Sequence, residues 1–315
     1  MKLAGPLYAL LAFALFATHD VVVKVLGGAY SPVQIVFFSA LFSFPLVTFM
    51  LMRDDAKEHL RPNHPWCVLI RTVASVITIL SAFYAFSVLP LAQVYTIIFA
   101  SPLLITLLAI PLLGERVGLR RLAAVLVGLI GVIVALRPGT TVLEPGHFAA
   151  MAAAVFSAIA SVIMRKIGRQ ERTAVLMLYP LAANFVAMGA VLAFVYQPMP
   201  IEHVGGMAII SLLGFIAGLL LIAAYRSGDA AVIAPMHYSQ IVWAIIFGYV
   251  LFDETPDRMT LIGAGIIVAS GLYIVLRETR LGADSTTPVL RTRSRGATAA
   301  SFRISPLLRR ARLRR

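Results

Sequence analysis

The chain is poor in charge and nearly free of cysteine. Only 13% of its 315 residues are charged, about half the share expected of a soluble domain. Its one cysteine, Cys67, excludes an intrachain disulfide framework and any cysteine-rich metal site. No Walker-type glycine loop occurs, which argues against ATP as the driving force. His59 and His64 lie in a charged loop without a completing cluster, so no metal-ligand spacing is present. No cofactor is expected.

What the chain has instead is apolar length. Sixty per cent of its residues are hydrophobic, and the mean hydropathy is +0.91. A soluble protein of this size cannot hide so much apolar surface, whereas a bilayer is itself an apolar solvent. The 17 prolines and 22 glycines fall partly inside apolar runs, which membrane helices tolerate better than soluble ones.

Ten stretches are long enough to cross a bilayer: 4–23, 33–52, 67–88, 92–113, 119–136, 147–165, 174–195, 206–226, 230–251 and 258–276. The predicted fold class is an all-α integral membrane protein. The stretch from Gly5 to Val23 resembles a signal sequence, but it outruns a typical signal core and only Lys2 precedes it. It is expected to stay as the first span.

Basic residues choose the orientation. With the N-terminus inside, twelve lysines and arginines fall in cytoplasmic segments before the tail, among them Arg53, Arg116, Arg165 and Arg226. Three fall outside: Lys24, Arg137 and Arg258. Arg71 lies just inside the third span and is not counted for either side. The tail 277–315 adds eleven arginines, so both termini are expected in the cytoplasm. Short links and no large soluble domain point to a bacterial inner membrane. The tail explains most of the net +13 charge. Beside a membrane span such charge sets topology and attracts anionic lipid, and nucleic acid is not implied. Residues 278–315 are expected to be a disordered basic tail.

The chain also repeats itself. Leu112-Leu-Gly-Glu-Arg-Val117 precedes a span ending at Arg137, and Leu251-Phe-Asp-Glu-Thr-Pro256 precedes one ending at Arg277. The halves are 4–136 and 147–277, with five spans each. An odd number of spans makes the second half enter from the opposite side. Inverted repeats of this kind are a hallmark of secondary transporters.

These residues resemble the EamA-like family of the drug/metabolite transporter superfamily. Leu113-Gly-Glu-Arg-Val117 and the run from Ala234 to Glu254 carry the resemblance, which covers nearly all of 4–277. It implies a proton- or gradient-driven carrier of amino acids, S-adenosylmethionine, riboflavin or amino-acid-derived metal chelators. Thr18-His-Asp-Val-Val-Val-Lys24 is most similar to the branch for S-adenosylmethionine, riboflavin and related metabolites. One departure stands out. Many relatives carry an arginine after a Phe-Phe pair in the second span; here Ser39 follows Phe37-Phe38.

Ionisable residues inside a span are costly and point to function. His19 and Asp20 are candidates for coupling proton movement to solute movement. Lys24 is four residues after Asp20, so the two share a helix face and are expected to pair, unless Lys24 simply snorkels outward. His237 follows Pro235, while Pro102 follows Ser101 in the fourth span; interrupted helices in corresponding elements mark a binding region. Tyr84, Gln93, Tyr95, Asn184, Tyr225, Tyr238, Gln240 and Trp243 are candidates for a solute cavity, against packing or interfacial anchoring. The resemblance implies a cavity among the first four helices of each half. Glu115 and Glu254 are read as gates or as helix ends, with Glu115 paired to Arg120 or Arg121. Gly128, Gly131, Gly214 and Gly218 allow close helix approach.

The leading expectation is a proton-coupled carrier of a small polar, amino-acid-derived solute, with riboflavin as the alternative. A lipid-modifying membrane enzyme would need the acidic and histidine residues of 53–66. A scaffold would depend on the basic tail.

Overall fold

The computed structural model describes residues 4–52, 60–115, 117–138, 142–168, 170–227 and 233–280. The helices are α1 (Ala4–Gly27), α2 (Pro32–Met52), α3 (Pro65–Val88), α4 (Leu91–Ile98), α5 (Ser101–Leu113), α6 (Leu119–Leu136), α7 (Pro145–Ile167), α8 (Thr173–Val195) and α9 (Ile201–Ser227). A short 3-10 turn (Ala234–Tyr238) leads into α10 (Ser239–Phe252), and α11 (Arg258–Arg280) follows. Among the described residues ten membrane-length spans result, because α4 and α5 share one and the 3-10 turn shares another with α10. The predicted spans agree with these to within a few residues. Residues 281–315 of the basic tail and 53–59 of the 53–66 loop lie outside the described residues.

Sequence punctuation sets the helix ends. Pro32, Pro65 and Pro145 open α2, α3 and α7, where a missing N–H costs nothing. Gly114 and Asp253 close α5 and α10 in the left-handed conformation, at φ 67° and 55°. The next residue then turns its N–H back into the helix: Glu115 donates to Ala109 O and Glu254 to Gly248 O. The two glutamates thus leave their helices with the same local geometry.

Packing joins the first half of the chain to the second. The principal pairs are α1 with α9, α3 with α7, α2 with α8, and α6 with α11. In the last pair Gly131 and Gly263 let backbones meet: a Cβ on Gly131 would stand 2.9 Å from Gly263 O. Outward faces are apolar, as Phe194, Leu126 and Val186 illustrate, which suits lipid contact.

The fourth span is broken. α4 stops at Ile98, Phe99 and Ala100 intervene, and Pro102 sits at the start of α5. The ninth span begins with its own irregular turn, which carries Pro235. The breaks meet: the Phe99 ring lies 4.9 Å from the His237 ring and 5.5 Å from that of Tyr238, centroid to centroid.

Candidate functional site

A cavity of about 200 Å³ runs through the middle of the bundle beside this meeting point. α1 to α5, α7 to α10 and the 3-10 turn all contribute to its wall, while α6 and α11 contribute no described residue. The wall is therefore made by the first four spans of each half.

α3 fixes the two ends. Near its start, Val68 packs with Ile167 at the end of α7. Just past its finish, Leu89 O accepts a hydrogen bond from Lys24 Nζ at 2.6 Å. Lys24 and Arg165 therefore mark opposite ends of the molecule.

At the Lys24 end the carboxylate partner is Glu254. Its Oε1 lies 2.7 Å from Lys24 Nζ, and its Oε2 accepts the N–H of Leu91, the first residue of α4. The expected Asp20–Lys24 pair is thus replaced. Asp20 is buried and occupied by other donors: His19 Nδ1 at 2.7 Å and the Tyr95 hydroxyl. Lys24 instead reaches past the end of its helix. At the other end Glu115 pairs with Arg165 of α7 rather than with Arg120 or Arg121. Arg121 points back to Thr106 of α5.

Inside each end pair, one helical turn deeper, a residue of the same helix lines the cavity: Asp20 below Lys24 and Ser161 above Arg165. His19 joins Asp20 in the wall, with its ring edge-on to Phe83 at 5.9 Å. Tyr95, Ser101, His237 and Gln240 also line the cavity. Ser101 Oγ is hydrogen-bonded to Ser157 Oγ at 2.7 Å, and His237 stacks on Phe13.

Several buried polar atoms in this wall have no hydrogen-bond partner among the described residues: Ser39 Oγ, Asn184 Oδ1 and both amide atoms of Gln240. Such atoms are costly unless a ligand or water completes them.

Other expected site residues lie elsewhere. Tyr84 is half-buried and absent from the cavity wall. The Gln93 amide faces His147 at 2.8 Å, beside a separate pocket that Glu254 also lines. The Tyr238 hydroxyl is pressed against Gly271 of α11, filling the space a side chain there would need. Trp243 stacks on Phe247 along its own helix. The side chain of Tyr225 lies outside the described residues. Sequence reasoning had set aside Arg71, which the structure buries in the cavity wall, with Nη1 donating to Leu176 O at 2.6 Å. Its place six residues into a span was the available signal.

Comparison with known proteins bears on what this arrangement does. The model of the EamA-like transporter family matches twice, over residues 3–137 and 144–276. An S-adenosylmethionine uptake transporter of Rickettsia bellii is 27% identical over 273 residues, covering 85% of this chain and 92% of that protein. The pseudopaline exporter CntI of Pseudomonas aeruginosa is 27% identical over 281 residues, covering 89% and 98%. One solved crystal structure superposes with a TM-score of 0.58 at 22% identity, covering 89% of this chain and 99% of that one, a likeness of fold.

Proposed function

This chain belongs to the EamA-like transporter family and is a multi-pass membrane transporter of a small metabolite, and we propose that its cargo is polar and amino-acid-derived, moved by proton-coupled alternating access. The named relatives carry S-adenosylmethionine and pseudopaline, which supports that class of cargo. The reading places the carrier in a bacterial inner membrane with both termini in the cytoplasm. Lys24 then faces outward and Arg165 inward, in keeping with the distribution of basic residues.

The observation that carries the proposal is a central cavity with an ion pair at each end. Each pair joins the cation of a half's first span to the glutamate after the other half's fourth span. In the proposed cycle the two halves are inverted five-helix repeats that rock against each other, and one pair opens while the other holds. Parting Lys24 from Glu254 also frees the N–H of Leu91, so the broken fourth span is released with the outer pair. Asp20 is the proposed proton carrier. Protonation removes the charge that His19 and Tyr95 hold in place, which loosens α1 from α4. The basic tail rests on anionic lipid in this reading, and deleting residues 280–315 is expected to leave flux unchanged.

The test is a broad metabolite profile of cells and medium, comparing deletion with overexpression. A solute that builds up in deleted cells and appears in the medium of overexpressors marks export. Depletion from the medium that requires the protein marks uptake. If no small solute changes in either strain, the proposal fails.

A further inference from the structure

Arg71 has no part in the cycle described above, yet a buried arginine inside a span is expensive to keep. Leu176 O satisfies one of its nitrogens, and Nε has no partner among the described residues. No described carboxylate pairs with it. Among the described lining residues Arg71 is the only lysine or arginine, and Asp20 is the only aspartate or glutamate.

These two opposite charges sit at opposite ends of the cavity. Arg71 precedes Phe83 by twelve residues on α3, about 18 Å along the helix axis. Phe83 is the residue against which His19 packs, next to Asp20. Between them the wall offers the unpartnered amide atoms of Asn184 and Gln240.

From this arrangement we infer that Arg71 binds the carboxylate of the transported solute, so that the cavity accepts amino acids and their derivatives and rejects their decarboxylated counterparts. The inference rests on the carrier reading above and narrows its cargo. A guanidinium presents paired N–H groups that match a carboxylate, which a lysine ammonium does not reproduce. A decarboxylated solute would leave Arg71 buried and unpaired, and a site built on such a partner discriminates strongly. Asp20, about 18 Å away, is too far to meet the α-ammonium of a solute whose carboxylate is on Arg71, so Arg71 alone sets the orientation, with the acid toward the Arg165 end.

The experiment uses the full chain in proteoliposomes and four matched pairs: S-adenosylmethionine with its decarboxylated form, methionine with 3-(methylthio)propylamine, histidine with histamine, and tyrosine with tyramine. The expected result is that at least one pair is transported with the acid favoured by roughly 100-fold in efficiency. Arg71→Gln removes that preference by slowing the acid alone, and Arg71→Lys keeps part of it. Equal transport of both members by the unaltered protein would overturn the inference and leave the carrier reading standing. A proportional loss of both members in Arg71→Gln would also overturn it, leaving Arg71 as a pin between α3 and α8. Should Arg71→Gln fail to fold, the pair comparison in the unaltered protein still decides. Transport of no member of any pair would defeat both the amino-acid-derived reading and the inference.

Discussion

At one end of the molecule Lys24 reaches from α1 to Glu254, just past α10; at the other Arg165 reaches from α7 to Glu115, just past α5. Each pair joins a cation to a glutamate, lysine at one end and arginine at the other, and the two match in position on their helices and in the left-handed turn before each glutamate. The cavity wall one helical turn inside them does not match. Asp20, with His19 and Tyr95, stands beneath Lys24, whereas the corresponding place above Arg165 holds Ser161. In the proposed cycle the two ion pairs close the two ends, and Asp20 is the proposed proton carrier, for which the Ser161 end has only a neutral hydroxyl.

The largest effect should come from removing that difference. Asp20→Asn is expected to lower transport in proteoliposomes by about 100-fold or more and to abolish its response to an imposed pH gradient. His19→Ala should weaken both less. If both variants transported normally with the usual pH response, the coupling role would be lost.

Breaking the end pairs one at a time should give a smaller effect of opposite direction at each end. In a Cys67→Ser background, a thiol introduced by Ser161→Cys reports access from the Arg165 end. Glu115→Gln should raise its labelling by a membrane-impermeant reagent about tenfold, since about 1.4 kcal/mol shifts a two-state population by that factor, within the range of a partly buried pair. Glu254→Gln should lower it. The same change in both variants would mean that the pairs serve stability rather than gating.

Gly131→Leu acts away from both ends, where α6 meets α11 at Gly263. Overpacking there should cost about 2 kcal/mol and lower Tm in detergent by several degrees. Solute affinity in the folded fraction should be unchanged. Trp243→Phe should have the smallest effect. It lies outside the cavity wall and stacks on Phe247, so transport should stay within about twofold of normal. A larger loss would extend the site beyond the cavity.

The ten spans were legible because bilayer thickness imposes one length on every apolar run. Asp20, Tyr95, Gln240 and the two histidines of the cavity were legible as polar groups with no other reason to lie in lipid. The ion pairs were not. The helix rule that joins residues four apart suggested Asp20–Lys24, but Asp20 is held by His19 and by Tyr95 of another span. The true partner of Lys24 is more than two hundred residues away, brought there by packing between halves that no local pattern encodes. Arg71 was hidden by its nearness to a span end, where an arginine usually reaches out to water. Tyr238 and Trp243 were read as cavity residues because aromatic character alone does not tell which side of a helix faces inward.

The exchange of partners across the two ends has a bearing on ancestry. Neither half holds both members of either pair, so in the proposed cycle a single half could not close a gate by itself. Two copies of one five-helix chain, inserted in opposite directions, would form both gates from one cation and one glutamate. Joining the copies in a single gene would then free each position to change independently. On such a history Asp20 and Ser161, one turn inside the end pairs, would be positions free to differ.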